Sequence, residues 1–138
     1  MALNDRDASL IRESFDRLRA ETATEDRFGP IFYAKLFEKL PEARPLFRDD
    51  LSEQGMRFLS TLHVIIDDIG EPDALAPKLR QLAEGHRAYG VAPGFYAPMG
   101  EALLETMRET LGSKFDPETE AAWGRAYALM TERMQAAA

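Results

Sequence analysis

The chain has 138 residues, 45% hydrophobic and 30% charged, with 17 Lys and Arg against 24 Asp and Glu for a formal charge of -7. That length supports one domain around one sizeable core, and the acidic balance, without a basic window interleaved with aromatics, argues against nucleic acid as a partner. The absence of cysteine excludes disulfides, thiolate chemistry and cysteine-held iron–sulfur clusters. The start, MALNDRDASL, is polar and acidic where a signal peptide needs an apolar run. The longest nearly apolar stretch, Leu62 to Ile66, is far too short to span a bilayer, so a cytoplasmic protein without a membrane span is the expectation. Two histidines make any all-protein metal site dependent on carboxylates, and neither HExxH nor EF-hand spacing occurs.

In chain order, Asp5 or Asp7 can cap a first helix, whose apolar side is Leu10, Ile11, Phe15 and Leu18. RAETATEDRF then reads as a short polar connection. A second helix runs from about Glu25 to Leu40 and carries Phe28, Phe32 and Phe37. Pro30 inside that pattern favours a start nearer Gly29, with the proline in the first turn. Tyr33 is the polar exception on this helix, either a core tyrosine whose hydroxyl reaches the surface or a hydroxyl delivered into a pocket. Pro41 and Pro45 break the helix, and EARPLF makes a short turn ending at Phe47.

Asp49 or Asp50 can cap a third helix reaching about Ile69, with Phe58, Leu59, Leu62, Ile65 and Ile66 inward. Gln54 sits one turn above Phe58, at the edge of that face, where solvent can surround it. His63 falls beside the apolar stripe and reads as peripheral. Gly70-Glu71-Pro72 ends the helix. Leu75, Leu79, Leu82 and His86 then form one stripe of a fourth helix, in which Pro77 fits only the first turn. A histidine at the C-terminal end of an apolar face is either a core residue held by a hydrogen bond or a ligand pointing into a pocket, and the stripe leaves both open. Gly90, Pro93, Gly94 and Pro98 are the densest group of breakers. A fifth helix begins around Gly94 to Tyr96, places Met99, Leu103, Met107 and Leu111 at four-residue steps, and ends at Gly112, a natural C-cap. Asp116-Pro117-Glu118 starts the last helix, with Trp123, Tyr127, Met130 and Met134 inward and QAAA as a frayed tail. Six helices, short connections and no strand signal predict an all-α domain.

Four segments carry a recognisable pattern: FYAKLFEKLPEARPLF, LSEQGMRFL, HRAYGVAPGFY and AWGRAY. In this order and at this spacing they resemble the globin family over nearly the whole chain, most closely the bacterial single-domain globins related to the globin part of flavohaemoglobins. The resemblance implies one globin domain over residues 1–138, a three-over-three helical sandwich around haem b (iron protoporphyrin IX). It assigns the iron ligand to His86, the distal tyrosine to Tyr33, the distal glutamine to Gln54, the haem-packing phenylalanine to Phe47, the apolar distal residue to Phe58 and a proximal tyrosine to Tyr96. Val91, Met99 and Leu103 are suitable further walls for a largely apolar ring system. Tyr33 and Gln54 can both donate hydrogen bonds to a bound ligand.

The function this implies is reversible binding of dioxygen, and of nitric oxide and carbon monoxide, at ferrous iron. A nitric oxide dioxygenase capacity follows if a separate reductase supplies electrons, and the alternative is a gas or redox sensor acting through a partner protein. A monomer or a homodimer fits the pattern. In the flavohaemoglobin-like pattern a glutamate joins the proximal tyrosine and histidine. The matching position here is Ala138, and Glu132 lies about two turns too early, so the proximal side is expected to hold haem more than to drive oxygen cleavage. The chain stops where a reductase module would begin and has no glycine-rich dinucleotide fingerprint.

Overall fold

The computed structural model describes residues 3–22, 27–47, 50–88 and 93–136, the side chains of Pro72, His86, Arg87, Ala88, Pro93, Gln135 and Ala136 excepted. Six helices carry the fold: α1 (Asp5–Thr22), α2 (Phe28–Lys39), α3 (Leu51–Asp67), α4 (Pro72–Ala88), α5 (Tyr96–Leu111) and α6 (Pro117–Ala136), with 3-10 turns at Pro41–Leu46, Pro93–Phe95 and Gly112–Lys114. There is no strand among the described residues, and none of their helices is long and apolar enough to cross a membrane.

Local chemistry explains where the helices start and stop. Asn4 caps α1 through its side-chain oxygen, which accepts from the Asp7 N–H at 2.7 Å. Asp5 and Asp7 lie inside the first turn, where their charge favours the helix N-terminus but where they cannot cap it. Residues Arg19 to Thr22, expected in a connection, continue α1, and 23–26 lie outside the described residues. In α2, Pro30 occupies the first turn, where its missing N–H costs nothing. Asp50 caps α3, accepting from Ser52 N at 2.8 Å, and Asp116 caps α6, accepting from Thr119 N at 2.8 Å. Asp49 lies outside the described residues. Helix α3 ends at Asp67, two residues short of the expected Ile69, which sits in the following turn. Gly112 takes φ of 56° at the end of α5, a left-handed value that disfavours any residue with a Cβ. Pro77 departs from expectation because α4 already begins at Pro72, placing Pro77 in the second turn and depriving the Asp73 carbonyl of its helical donor. The last helix continues to Ala136, taking in part of the expected tail.

The helices form two layers, α1, α3 and α4 over α2, α5 and α6, with α2 against both α3 and α5 and α6 against both α1 and α4. The core between them holds Ile11, Phe15, Phe32, Leu79, Met107 and Trp123, all at most 2% exposed, and each large apolar side chain removed from water contributes roughly 1.5–3 kcal/mol. The crossing of α2 and α3 is close enough that no side chain fits. A Cβ at Gly29 would overlap the Leu51 carbonyl, and one at Gly55 would lie 2.7 Å from the Gly29 nitrogen. Tyr33 is one turn along from Gly29 and Gln54 precedes Gly55, so this glycine crossing brings the two polar side chains within reach.

Candidate functional site

Tyr33 is 2% exposed and is packed among aromatic rings. Its ring centroid lies 4.9 Å from Phe32 in an edge-on arrangement, 5.9 Å from Phe37 and 4.8 Å from Phe47. Phe32 continues the cluster to Phe58 at 4.9 Å and to Phe28 at 5.3 Å. Phe47 reaches Tyr33 because the 3-10 turn after α2 folds back, closing with the Phe47 N–H on the Arg44 carbonyl at 3.1 Å. Such offset and edge-on contacts add to simple burial and leave the Tyr33 hydroxyl in an apolar surround.

Burial pushes the Tyr33 hydroxyl up to about 12, and the neighbouring Gln54 amide pulls the other way. With its Oε1 turned to Arg57, the amide has its nitrogen left to face the phenol oxygen. Gln54 is half-buried at the start of α3, and its Oε1 accepts from Arg57 Nη1 at 3.3 Å, while Arg57 Nη2 bonds Glu53 at 2.6 Å.

His86 lies in the last turn of α4. Its side chain, and Val91 altogether, lie outside the described residues. Tyr96 opens α5 and is 8% exposed, Leu103 is 1% exposed and Met99 is half-buried. Tyr127 fixes this corner. Its hydroxyl donates to the Tyr96 carbonyl, and its ring leaves no room for a Cβ at Gly100, which would meet Tyr127 Cδ2 at 2.8 Å. Burial raises the Tyr127 hydroxyl far above its ordinary value. Glu132 is exposed on α6, and Ala138 lies outside the described residues.

Several large apolar side chains pack on the core yet stay half-covered: Phe47, Phe58, Leu82, Phe95, Met99 and Leu104. They come from the turn after α2, from α3 and α4, and from the Pro93–Phe95 turn and α5 that follows it. A flat apolar ring group would cover such surfaces, while Tyr33 and Gln54 supply the few placed donors that ligand sites carry. The residues present therefore fit the haem that the sequence pattern implies.

His63 belongs elsewhere. Arg19 Nη1 donates to its Nδ1 at 2.9 Å, its Nε2 lies 3.3 Å from Asp67 Oδ1, and its ring packs 6.1 Å from Phe15. It faces α1, through Arg19 and Phe15. An open groove of about 430 Å³ between α1, α2 and α3 shares Phe28 with the aromatic cluster but includes neither Tyr33 nor Gln54.

Sequence reasoning missed the glycine pair, the Tyr127 hydroxyl and Arg57. Glycines inside two strongly helical patterns signal a close approach, since each weakens its helix by about 1 kcal/mol relative to alanine. Arg57 at three and four residues past Gln54 and Glu53 was readable as a same-face neighbour. Nothing local marks the Tyr127 hydroxyl, whose partners are on another helix.

The sequence matches the Globin family over residues 31–134. It is 30% identical over 99 residues to the Flavohemoprotein of Rhizobium meliloti (strain 1021), covering 70% of this chain and 25% of that protein. It is 29% identical over 104 residues to the Flavohemoprotein of Halalkalibacterium halodurans, covering 73% of this chain and 25% of that protein. The matched part of the chain thus spans about a quarter of each of these relatives. An all-helical fold of two layers, an aromatic cluster around a buried tyrosine, and a match to the family across α2 to α6 agree: the chain belongs to the globin family.

Proposed function

We propose that this chain, as one globin domain over residues 1–138, holds haem b and binds diatomic gases reversibly, dioxygen first among them. When bound, haem b would supply an iron able to take up a gas. The observation that carries the reading is the buried Tyr33 hydroxyl, kept protonated by its apolar surround with the Gln54 amide beside it. An apolar cleft that contains a committed O–H donor stabilises a polarised gas such as dioxygen over an unpolarised one. His86, in the last turn of α4, is the proposed iron ligand, and Phe47, Phe58, Val91, Met99 and Leu103 are the proposed walls. Tyr96 is the proposed proximal neighbour, its backbone fixed by Tyr127.

The same site suits a redox extension. Dioxygen and nitric oxide give nitrate on the addition of one electron, and that electron would come from a separate reductase. Support comes from the two Flavohemoprotein relatives, whose name joins a flavin to a haem. In this role Tyr33 and Gln54 hold dioxygen, and Phe58 shapes the approach of the second gas.

Titrating the purified protein with haem b tests the reading. A saturable Soret band at one haem per chain is expected, shifted or lost in His86→Ala. A band identical in His86→Ala refutes the iron ligand, and the lack of any saturable band refutes the haem-protein reading.

A further inference from the structure

We propose that Arg57 is a positioning residue of the distal site: by donating to Gln54 Oε1 it holds the amide with its nitrogen toward Tyr33, so that the Tyr33 hydroxyl proton stays free for the gas. The inference rests on the gas-binding reading above. A side-chain amide has two ends of nearly equal shape, and a half-turn exchanges acceptor for donors at little steric cost. Were Gln54 turned over, its oxygen would face Tyr33 and take the hydroxyl proton, removing the cleft's buried donor. Arg57 prevents this because a guanidinium has five donors and no acceptor, so only the amide oxygen can face it, and Nη1 lies 3.3 Å from that oxygen.

Arg57 is held in turn. Its Nη2 bonds Glu53 at 2.6 Å, one turn back on α3, so the fork grips Glu53 and Gln54 together. Both charged side chains are more than half exposed, and neither contributes to the core. Arg57 therefore donates in two directions, outward to Glu53 and inward to Gln54 Oε1, which leaves the Gln54 nitrogen to face Tyr33. The inward branch ends on a hydroxyl with one proton to give. Helix spacing makes the device compact, because positions three and four apart share a face.

The test uses haem-loaded protein with Arg57→Ala, Arg57→Lys and Gln54→Leu, and Arg57→Ala combined with Gln54→Leu. Arg57→Ala is expected to speed dioxygen dissociation about threefold, the scale of one exposed hydrogen bond, and to raise the carbon monoxide stretching frequency as donation weakens. Arg57→Lys, which can still donate to Gln54, restores most of the slow release. In the Gln54→Leu background Arg57→Ala changes neither reading. The haem-free protein provides a separate arm, in which Arg57→Ala shifts the Gln54 side-chain amide resonances in a nitrogen–proton NMR spectrum. If no haem binds, the gas reading fails while this arm still tests the amide's orientation. An equal change with and without Gln54, an unmoved amide resonance, or weakened haem retention at an unchanged stretching frequency overturns the proposal. The last outcome would assign Arg57 to the cofactor's acid groups.

Discussion

A phenol withdrawn from water holds its proton more tightly, and Tyr33 shows why this matters to a gas site. Its ordinary value near 10.0 rises to about 12, with burial the larger cause and the Gln54 bond opposing it. The folded chain therefore keeps the Tyr33 proton where the unfolded chain releases it. Stability from this group is complete below pH 10 and is lost progressively between pH 10 and 12. Urea midpoints measured from pH 8 to 11.5 should fall at the alkaline end, by up to about 2 kcal/mol from Tyr33, and the fall should be shallower in Tyr33→Phe. An equally steep decline in the variant would mean the hydroxyl is hydrated. Near neutral pH the hydroxyl is a donor throughout, so gas release should carry no titration from Tyr33. The same residue marks the limit of sequence reading. Periodicity left it open between a core position and a pocket, since burial puts a tyrosine on the same helix face either way. The family pattern, and not the spacing, singled it out.

Helix α3 sits close on α2 because two glycines meet at their crossing. Gly55 meets the backbone of Gly29, which cannot rotate away as a side-chain tip would. Gly55→Ala should thus force α3 outward, at a cost of about 1–3 kcal/mol or more, and part Gln54 from Tyr33. Gly124→Ala is the matched control. A Cβ there meets nothing within 4 Å, and alanine in a helix interior should stabilise by up to about 1 kcal/mol. Denaturant unfolding of both variants checks this, and equal effects would contradict the close crossing. Helix boundaries set by local chemistry were legible: Asp116-Pro117, Asp50 and Gly112 all act as their residue types predict. The first cap was not, because Asn4, Asp5 and Asp7 offer similar oxygens and only the backbone shows which one lies at the boundary. Pro77 was misplaced because the apolar stripe begins at Leu75, three residues after the helix does.

Across the whole molecule, α1 and α6 tie the two ends of the sequence together. Asp7 is 4% exposed and receives both arms of the Arg125 fork at 2.6 and 3.0 Å, which hold its carboxyl below the ordinary range against the opposing effect of burial. Trp123, fully buried, donates from Nε1 to Ser14 Oγ at 2.7 Å. Ser14→Ala would leave that indole donor without its acceptor and should cost about 1–3 kcal/mol, read by urea unfolding through the fluorescence of the chain's one tryptophan. Unchanged stability would show that the indole finds water. Neither pairing was legible beforehand, since the partners stand 109 and 118 positions apart and only the assembled layers bring them together. The packing of α2 on α3 also brings Tyr33 and Gln54 near each other, and the central claim is that this pair retains the gas. Stopped-flow dioxygen dissociation from the haem-loaded protein tests it most directly. Tyr33→Phe should release dioxygen about tenfold faster, the scale of one buried hydrogen bond, and Gln54→Leu should release it faster than the unaltered chain. Unchanged rates in both variants would contradict the account.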